Sequence, residues 1–233
     1  LLVGDSLGMT VLGYASTLPV TMSEMLLHTA AVVRGTAEAL VVADMPFLSY
    51  QISIPEGIRN AGRFLKKAGA DAVKIEGGAF RSELIGALTQ NGIPVLGHIG
   101  LTPQSVNMLG GFRVQGRTRE TGEQLVADAR ALAEAGAFAI VLECVPPDIA
   151  AAVTAAAPVP IIGIGAGPAC DGQILVMHDL LGFSGSPPPK FVKPYAALAE
   201  TIRDAFRAYA AEVQSGLFPG PEHCYPPSES SVP

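Results

Sequence analysis

The sequence is poor in cysteine, in positive charge and in long apolar runs, and each shortage removes a class of protein. Three cysteines, Cys144, Cys170 and Cys224, are odd in number and follow no metal-ligand spacing. That argues against a disulfide framework and a zinc site, and points to a reducing, cytoplasmic compartment. Lysine and arginine total 15 against 21 aspartates and glutamates, a net charge of −6. With no basic field to attract a polyanion, nucleic acid and anionic membranes are unsuitable partners. Apolar stretches such as residues 138–142 fall far short of the ~20 residues a membrane-spanning helix needs, and no segment reads as a signal peptide. Core-forming material, by contrast, is plentiful. With 49% hydrophobic and 15% charged residues, the chain can bury one large core.

Short β-type runs recur with helical segments between them, at residues 1–4, 39–43, 72–75, 93–97, 138–142, 159–164 and 174–177. Strand, helix, strand repetition predicts a parallel sheet. The runs are mostly apolar without strict alternation, as expected where both faces are covered. Thr21 and Glu24 are spaced as a capping box, and Met22, Leu26, Thr29 and Val33 then keep one helical face. Ile58, Ala61, Leu65 and Ala68 repeat the pattern before Gly69, as do Leu125, Ala129 and Leu132 before Gly136. Leu198, Ile202, Phe206, Tyr209 and Val213 mark a last helix. Residues 1–217 read as a single α/β domain, and residues 218–233, after the Pro-rich segment at 187–189, as a Pro/Ser-rich extension.

An open doubly wound sheet and a β/α-barrel both fit this periodicity, and the polar residues favour the barrel. Asp5, Asp44, Glu76 and Glu143 each end a strand-like run, and His98 ends another. In a β/α-barrel the C-terminal ends of all strands open on one face, so these residues converge. Crowded carboxylates repel and must be neutralised by protons or by a cation. Oxygen donors without cysteine or paired histidine select Mg²⁺ rather than zinc, and Mg²⁺ takes only one or two carboxylates, leaving an acid for proton transfer. Lys74, two residues before Glu76 and on the same side of its strand, supplies positive charge for an anionic substrate.

Each of these residues also has a plainer role open to it. A lone acid after a strand is commonly a helix N-cap, His98 could be a structural histidine, and Lys74 could belong to a structural ion pair. The glycines of Ile162-Gly163-Ile164-Gly165-Ala166-Gly167 suit either a phosphate site or a tight βα turn. Met22 and Met25 read as core filler, and His28, His178 and His223 have no ligand spacing.

The blocks VGDSLGMTVLGYASTLPVT, VVADMPF, VKIEGG, GHIGLTPQSVN, VLECVP, IGIGAG, DGQILVMHD and PKFVK span nearly the whole chain. In that order and spacing they resemble the ketopantoate hydroxymethyltransferase family. The resemblance implies an eight-stranded β/α (TIM) barrel related to phosphoenolpyruvate mutase and isocitrate lyase. It implies transfer of a hydroxymethyl group from 5,10-methylenetetrahydrofolate to 3-methyl-2-oxobutanoate, giving 2-dehydropantoate, in a cytoplasmic homodecamer. By the same resemblance Asp5 and Asp44 would be direct Mg²⁺ ligands and Glu76 a further or water-bridged one. Asp5, Ser6, Asp44, Lys74 and His98 would line the keto acid, and Glu143 would be the catalytic base.

Family members carry a strand and helix ahead of VGDS, whereas this sequence opens at Leu1 inside a strand-like run. The expectation is therefore a barrel represented here by its strands two to eight. Two other readings remain open: a related barrel lyase using Cys144, and a catalytically silent subunit lacking the first strand.

Overall fold

The computed structural model describes residues 1–184 and 188–226. Pro187 and residues 227–233 of the expected tail lie outside them. The chain forms two compact units, Leu1–Val176 and Met177–Pro233, a boundary upstream of the one that composition suggests at residue 218.

The first unit is built on seven parallel strands: β1 (Leu2–Val3), β2 (Val42–Asp44), β3 (Ala72–Glu76), β4 (Val95–Gly100), β5 (Ala139–Glu143), β6 (Ile161–Ile164) and β7 (Gly172–Gln173). Their order in the sheet is their order in the sequence, with every neighbouring pair parallel. A doubly wound sheet reverses direction at a switch point; this one never does, so the strands form an arc of a β/α-barrel. The seventh strand lies earlier than its apolar run suggests. Gly172 and Gln173 pair with Ile162 and Gly163, and Ile174 N–H still donates to the Gly163 carbonyl at 3.0 Å, but Met177 already starts a helical turn, Met177–Leu180. Pairing with β6, rather than hydrophobicity, sets the strand.

Five main helices cover the outer face: α1 (Met22–Arg34), α2 (Ile54–Arg63), α3 (Ser82–Gln90), α4 (Arg119–Glu134) and α5 (Pro147–Ala156). The capping box at α1 is formed, with Thr21 accepting from Glu24 N–H and the Glu24 carboxylate accepting from Thr21 N–H. α2 runs on through a π-helical turn, Phe64–Ala68, and stops at Gly69, whose φ of 76° is left-handed. Outward-facing Ala43, Val73, Ile75, Val95, Ile99, Ile140, Leu142 and Ile161 pack with Met25, Phe64, Ile85, Leu88 and Leu132 from the helices. Fully burying each such large side chain contributes about 1.5–3 kcal/mol. Met25 is therefore core.

The inner face carries a second, smaller apolar cluster of Val42, Ala72, Leu96, Ala139 and Val141, flanked by Leu2 and Ile164. Strand side chains alternate with a period of two. Two residues beyond these apolar positions stand Asp44, Lys74 then Glu76, His98 and Glu143. The pleat thus lifts a polar layer over an apolar floor.

In the second unit, a helix α6 (Leu198–Ser215) ends at Gly216, whose φ is 72°. The apolar face read from sequence is there, but Phe206, Tyr209 and Val213 are exposed.

Candidate active site

The polar layer begins where strands run out of ladder. β1 ends at Val3, and Asp5 follows in the turn into a one-turn helix, Leu7–Thr10. Asp5 N–H donates to Asp44 Oδ2 at 3.0 Å, so backbone places the two carboxylates side by side. Ser6 stands next to Asp5; a Cβ on Gly4 would lie 3.1 Å from its hydroxyl, and no capping bond ties that hydroxyl to the short helix.

The register of β2 to β4 sets Asp44 opposite Lys74 and Glu76 opposite His98. Lys74 Nζ consequently lies 2.9 Å from Asp44 Oδ1, 3.3 Å from Glu76 Oε1 and 3.1 Å from His98 Nδ1. The Lys74 ammonium is only a donor, so His98 Nδ1 accepts and the ring proton sits on Nε2. That Nε2 is 3.1 Å from Glu143 Oε2, although the approach is too poorly aligned for a good hydrogen bond. A continuous line of contacts therefore runs Asp5, Asp44, Lys74, Glu76, His98, Glu143, and every sequence-predicted site residue lies on it or, like Ser6, beside it.

Burial separates the members. Asp5, Asp44, Lys74, Glu76 and His98 are all buried, whereas the Glu143 side chain is 16% exposed. Three carboxylates face one ammonium in the dry part, leaving two negative charges in excess when all are ionised. Burial, reinforced by repulsion from neighbouring acids, pushes the carboxyls of Asp5 and Asp44 upward. Glu76 goes the other way. Burial acts to raise it, but the Lys74 charge and the contact with His98 more than offset this and bring it down to about 2. For Lys74, burial acts to lower the ammonium's pKa, and the charges of Asp44, Glu76 and Asp5 override it and hold it up. Burial and Lys74 also act to lower His98, yet its contacts with Glu143 and Glu76 raise it.

This layout bears on whether a metal fits. Among the described residues, no group of three or more His, Cys, Asp or Glu side chains converges as ready-made ligands. Glu76 has both oxygens engaged, Oε1 by Lys74 and Oε2 by Gln104 N–H, and so has Asp44, by Lys74 and by Asp5 N–H. Asp5 is held through Oδ2 alone; with Asp44 beside it, it forms a buried, oxygen-only pair in a cluster that lacks two positive charges when all its acids are ionised. Such a pair fits Mg²⁺, which takes one or two carboxylates and keeps waters.

Two residues that strand-end reasoning missed complete the site. Gln104 sits in the 3₁₀ turn Pro103–Ser105 after β4, and Tyr50 in the loop after β2; both are buried. Tyr50 O–H donates to Gln104 Oε1 at 2.8 Å and accepts from Glu76 N–H at 3.2 Å. Neutral polar residues in loops carry no compositional signal; here only the block GHIGLTPQSVN marks one of them. The Gly-rich run is explained without a ligand. A Cβ on Gly163 would approach Cys170 Sγ to 2.8 Å, and one on Gly167 would approach Pro147 Cβ to 2.8 Å, with Gly167 at φ 79°.

A singly wound arc of parallel strands, with buried acids, a lysine and a histidine at their C-terminal ends, defines a β/α-barrel enzyme with its catalytic mouth at the usual face. More particularly, the chain belongs to the ketopantoate hydroxymethyltransferase family, whose family model matches residues 1–221. It is 62% identical over 225 residues to the 3-methyl-2-oxobutanoate hydroxymethyltransferase of Moorella thermoacetica, covering 97% of this chain and 84% of that protein. It is 60% identical to the Carboxydothermus hydrogenoformans enzyme of the same name, covering 97% and 82%. Among solved structures it is similar to a phosphonopyruvate hydrolase, with a TM-score of 0.55 at 17% identity over 97% of this chain and 78% of that one. At that identity the likeness speaks for the fold alone. No helix among the described residues is long and apolar enough to cross a membrane.

Proposed function

We propose that this protein transfers a hydroxymethyl group from 5,10-methylenetetrahydrofolate to 3-methyl-2-oxobutanoate, forming 2-dehydropantoate for pantothenate and coenzyme A biosynthesis. The observation that carries the reading is the division of the mouth in two: a dry cluster short of two positive charges, and Glu143 standing apart and wetter. The first suits binding of a cation with an oxo acid, and the second suits proton removal.

In this reading Asp5 and Asp44 would hold Mg²⁺, with Glu76 as a further or water-bridged ligand. When bound, the ion supplies Lewis-acid polarisation of the substrate's 2-oxo group. The chain's own groups do the rest. Lys74 and the Ser6 hydroxyl bind and orient the keto acid, and the apolar floor beneath them keeps water out. The Glu143 carboxylate takes the proton from C3. His98 Nε2 lies 3.1 Å from that carboxylate. Water adds to the one-carbon unit and tetrahydrofolate leaves, which frees that carbon at the oxidation level of formaldehyde; the C3 carbanion adds to it, and the resulting alkoxide takes up the proton held by Glu143. We place the enzyme in the cytoplasm and expect a homodecamer, both on family resemblance.

The lyase alternative would need Cys144 as a nucleophile. Burial and the adjacent Glu143 push that thiol up to about 11, far from the thiolate such chemistry requires. Incubating the folded protein with Mg²⁺, methylenetetrahydrofolate and 3-methyl-2-oxobutanoate should yield 2-dehydropantoate. Absence of product under those conditions would overturn the proposal and leave the silent-subunit reading.

A further inference from the structure

Gln104 uses every hydrogen-bonding capacity of its side chain inside the mouth. Nε2 donates to Asp5 Oδ2 at 2.9 Å and to the Met45 carbonyl at 2.9 Å. Oε1 accepts from Tyr50 O–H at 2.8 Å and from Gln51 Nε2 at 3.1 Å. The Met45 carbonyl can only accept, so the amide's orientation is settled by chemistry rather than by choice. Its backbone contributes as well. N–H groups in the first turn of a helix have no helical partner, and Gln104 N–H donates to Glu76 Oε2 at 3.0 Å. One residue from the loop after β4 thus ties together Asp5 after β1, Met45 after β2 and Glu76 on β3.

The consequence falls on Asp5. Unlike Asp44 and Glu76, it is not on a strand, and no ladder fixes its side chain. Gln104 occupies Oδ2, while among the described residues no hydrogen bond reaches Oδ1. We propose that Gln104 is a positioning residue for cation binding: its carboxamide, held from behind by Tyr50 and Gln51, pins one oxygen of Asp5 and leaves Oδ1 as the one presented to the ion. Groups that orient a metal's carboxylate ligands are commonly worth a factor of about 10–100 in metal affinity. Without the amide, Asp5 would have to be ordered by the ion itself. This inference rests on the reading of Asp5 as a ligand.

The test is a Mg²⁺ titration by calorimetry on the wild type, Gln104→Met, Tyr50→Phe and Asp5→Asn, paired with the Mg²⁺ dependence of turnover. Methionine keeps the volume of glutamine and removes its bonds. Gln104→Met should weaken Mg²⁺ binding by about 10- to 100-fold and raise half-saturating Mg²⁺ in the assay by the same factor. Tyr50→Phe, which removes one of two donors to Oε1, should show the same pattern at a few-fold and stands in if Gln104→Met does not fold. A merely structural role would lower the folded fraction and kcat but leave half-saturating Mg²⁺ alone. Unchanged affinity in both variants, with binding lost in Asp5→Asn, would overturn the role of Gln104 while sparing that of Asp5. A folded wild type that takes up no Mg²⁺, or Asp5→Asn binding as the wild type does, would overturn both.

Discussion

The two arcs of the sheet carry different burdens. Strands β1 to β4 bring Asp5, Asp44, Lys74, Glu76 and His98 into a dry, cross-linked cluster, while β5 to β7 contribute one acid, Glu143, beside a run of glycines. The Glu76 side chain is 3% exposed and that of Glu143 is 16%. Charge is kept dry around Glu76 and wetter at Glu143, where the proposed scheme has a proton come and go. Such a difference cannot come from the strand ends alone, because one strand in each arc, β3 and β5, ends in glutamate. It comes from what surrounds each one: Lys74, Tyr50 and Gln104 around Glu76, and, among the described residues, His98 alone in polar contact with the Glu143 side chain.

The sharpest way to test this contrast is to remove the sole ammonium from the first arc. Lys74→Met leaves Asp5, Asp44 and Glu76 buried without a counter-charge, and stripping one partner from such a group typically costs about 3–5 kcal/mol. Chemical denaturation at pH 7 with chelator present should show that loss; equal stability would mean the cluster is not held by charge. The pH dependence follows in sign. Glu76 titrates near 2 when folded, below its ordinary value of 4.5, so its contribution is present above about 4.5 and is lost as pH falls toward 2. The gap between wild type and variant should narrow over that window.

The corresponding change in the second arc should spare the fold. Glu143→Gln should unfold at nearly the wild-type denaturant concentration and bind the keto acid within a few-fold, yet slow deuterium exchange at C3 by about 10²–10⁴. Exchange at the wild-type rate would take the role of base away from Glu143. Smallest of all is the expected effect of Cys144→Ser. The thiol neighbours the base but does not react in this scheme, so turnover should stay within about a factor of three. Replacement next to the site but far from the charge network belongs among substitutions of small effect. A complete loss of turnover in a folded Cys144→Ser protein would revive covalent chemistry.

Much of this was legible in the sequence because of where strands stop. Asp44, Glu76 and Glu143 close apolar runs, and a barrel sends all such ends to one mouth. Asp5, Lys74 and His98 follow from the same reasoning. Gln104 and Tyr50 were not legible, since an uncharged amide in a turn and a phenol in a loop gain meaning only from partners up to 99 residues away. The end of the sheet failed for a related reason. Residues 174–177 are more strand-like than Gly172 and Gln173, but the ladder offered by β6 outweighs local preference. On α6 the period was read correctly; it could not tell that Phe206 and Tyr209 would remain exposed.

Strand order has a further consequence, in time rather than space. Each strand hydrogen-bonds to the one that follows it in the sequence, so the sheet can be laid down in the order of synthesis, without waiting for a distant partner. Asp5 and Asp44 therefore emerge before Lys74. Until β3 docks, the first two strands hold an acidic pair with no ammonium to neutralise it, and their pairing is disfavoured by the same repulsion that later suits the mouth to a cation. β3 is thus the first strand to bring that acidic pair an ammonium, Lys74 beside Asp44.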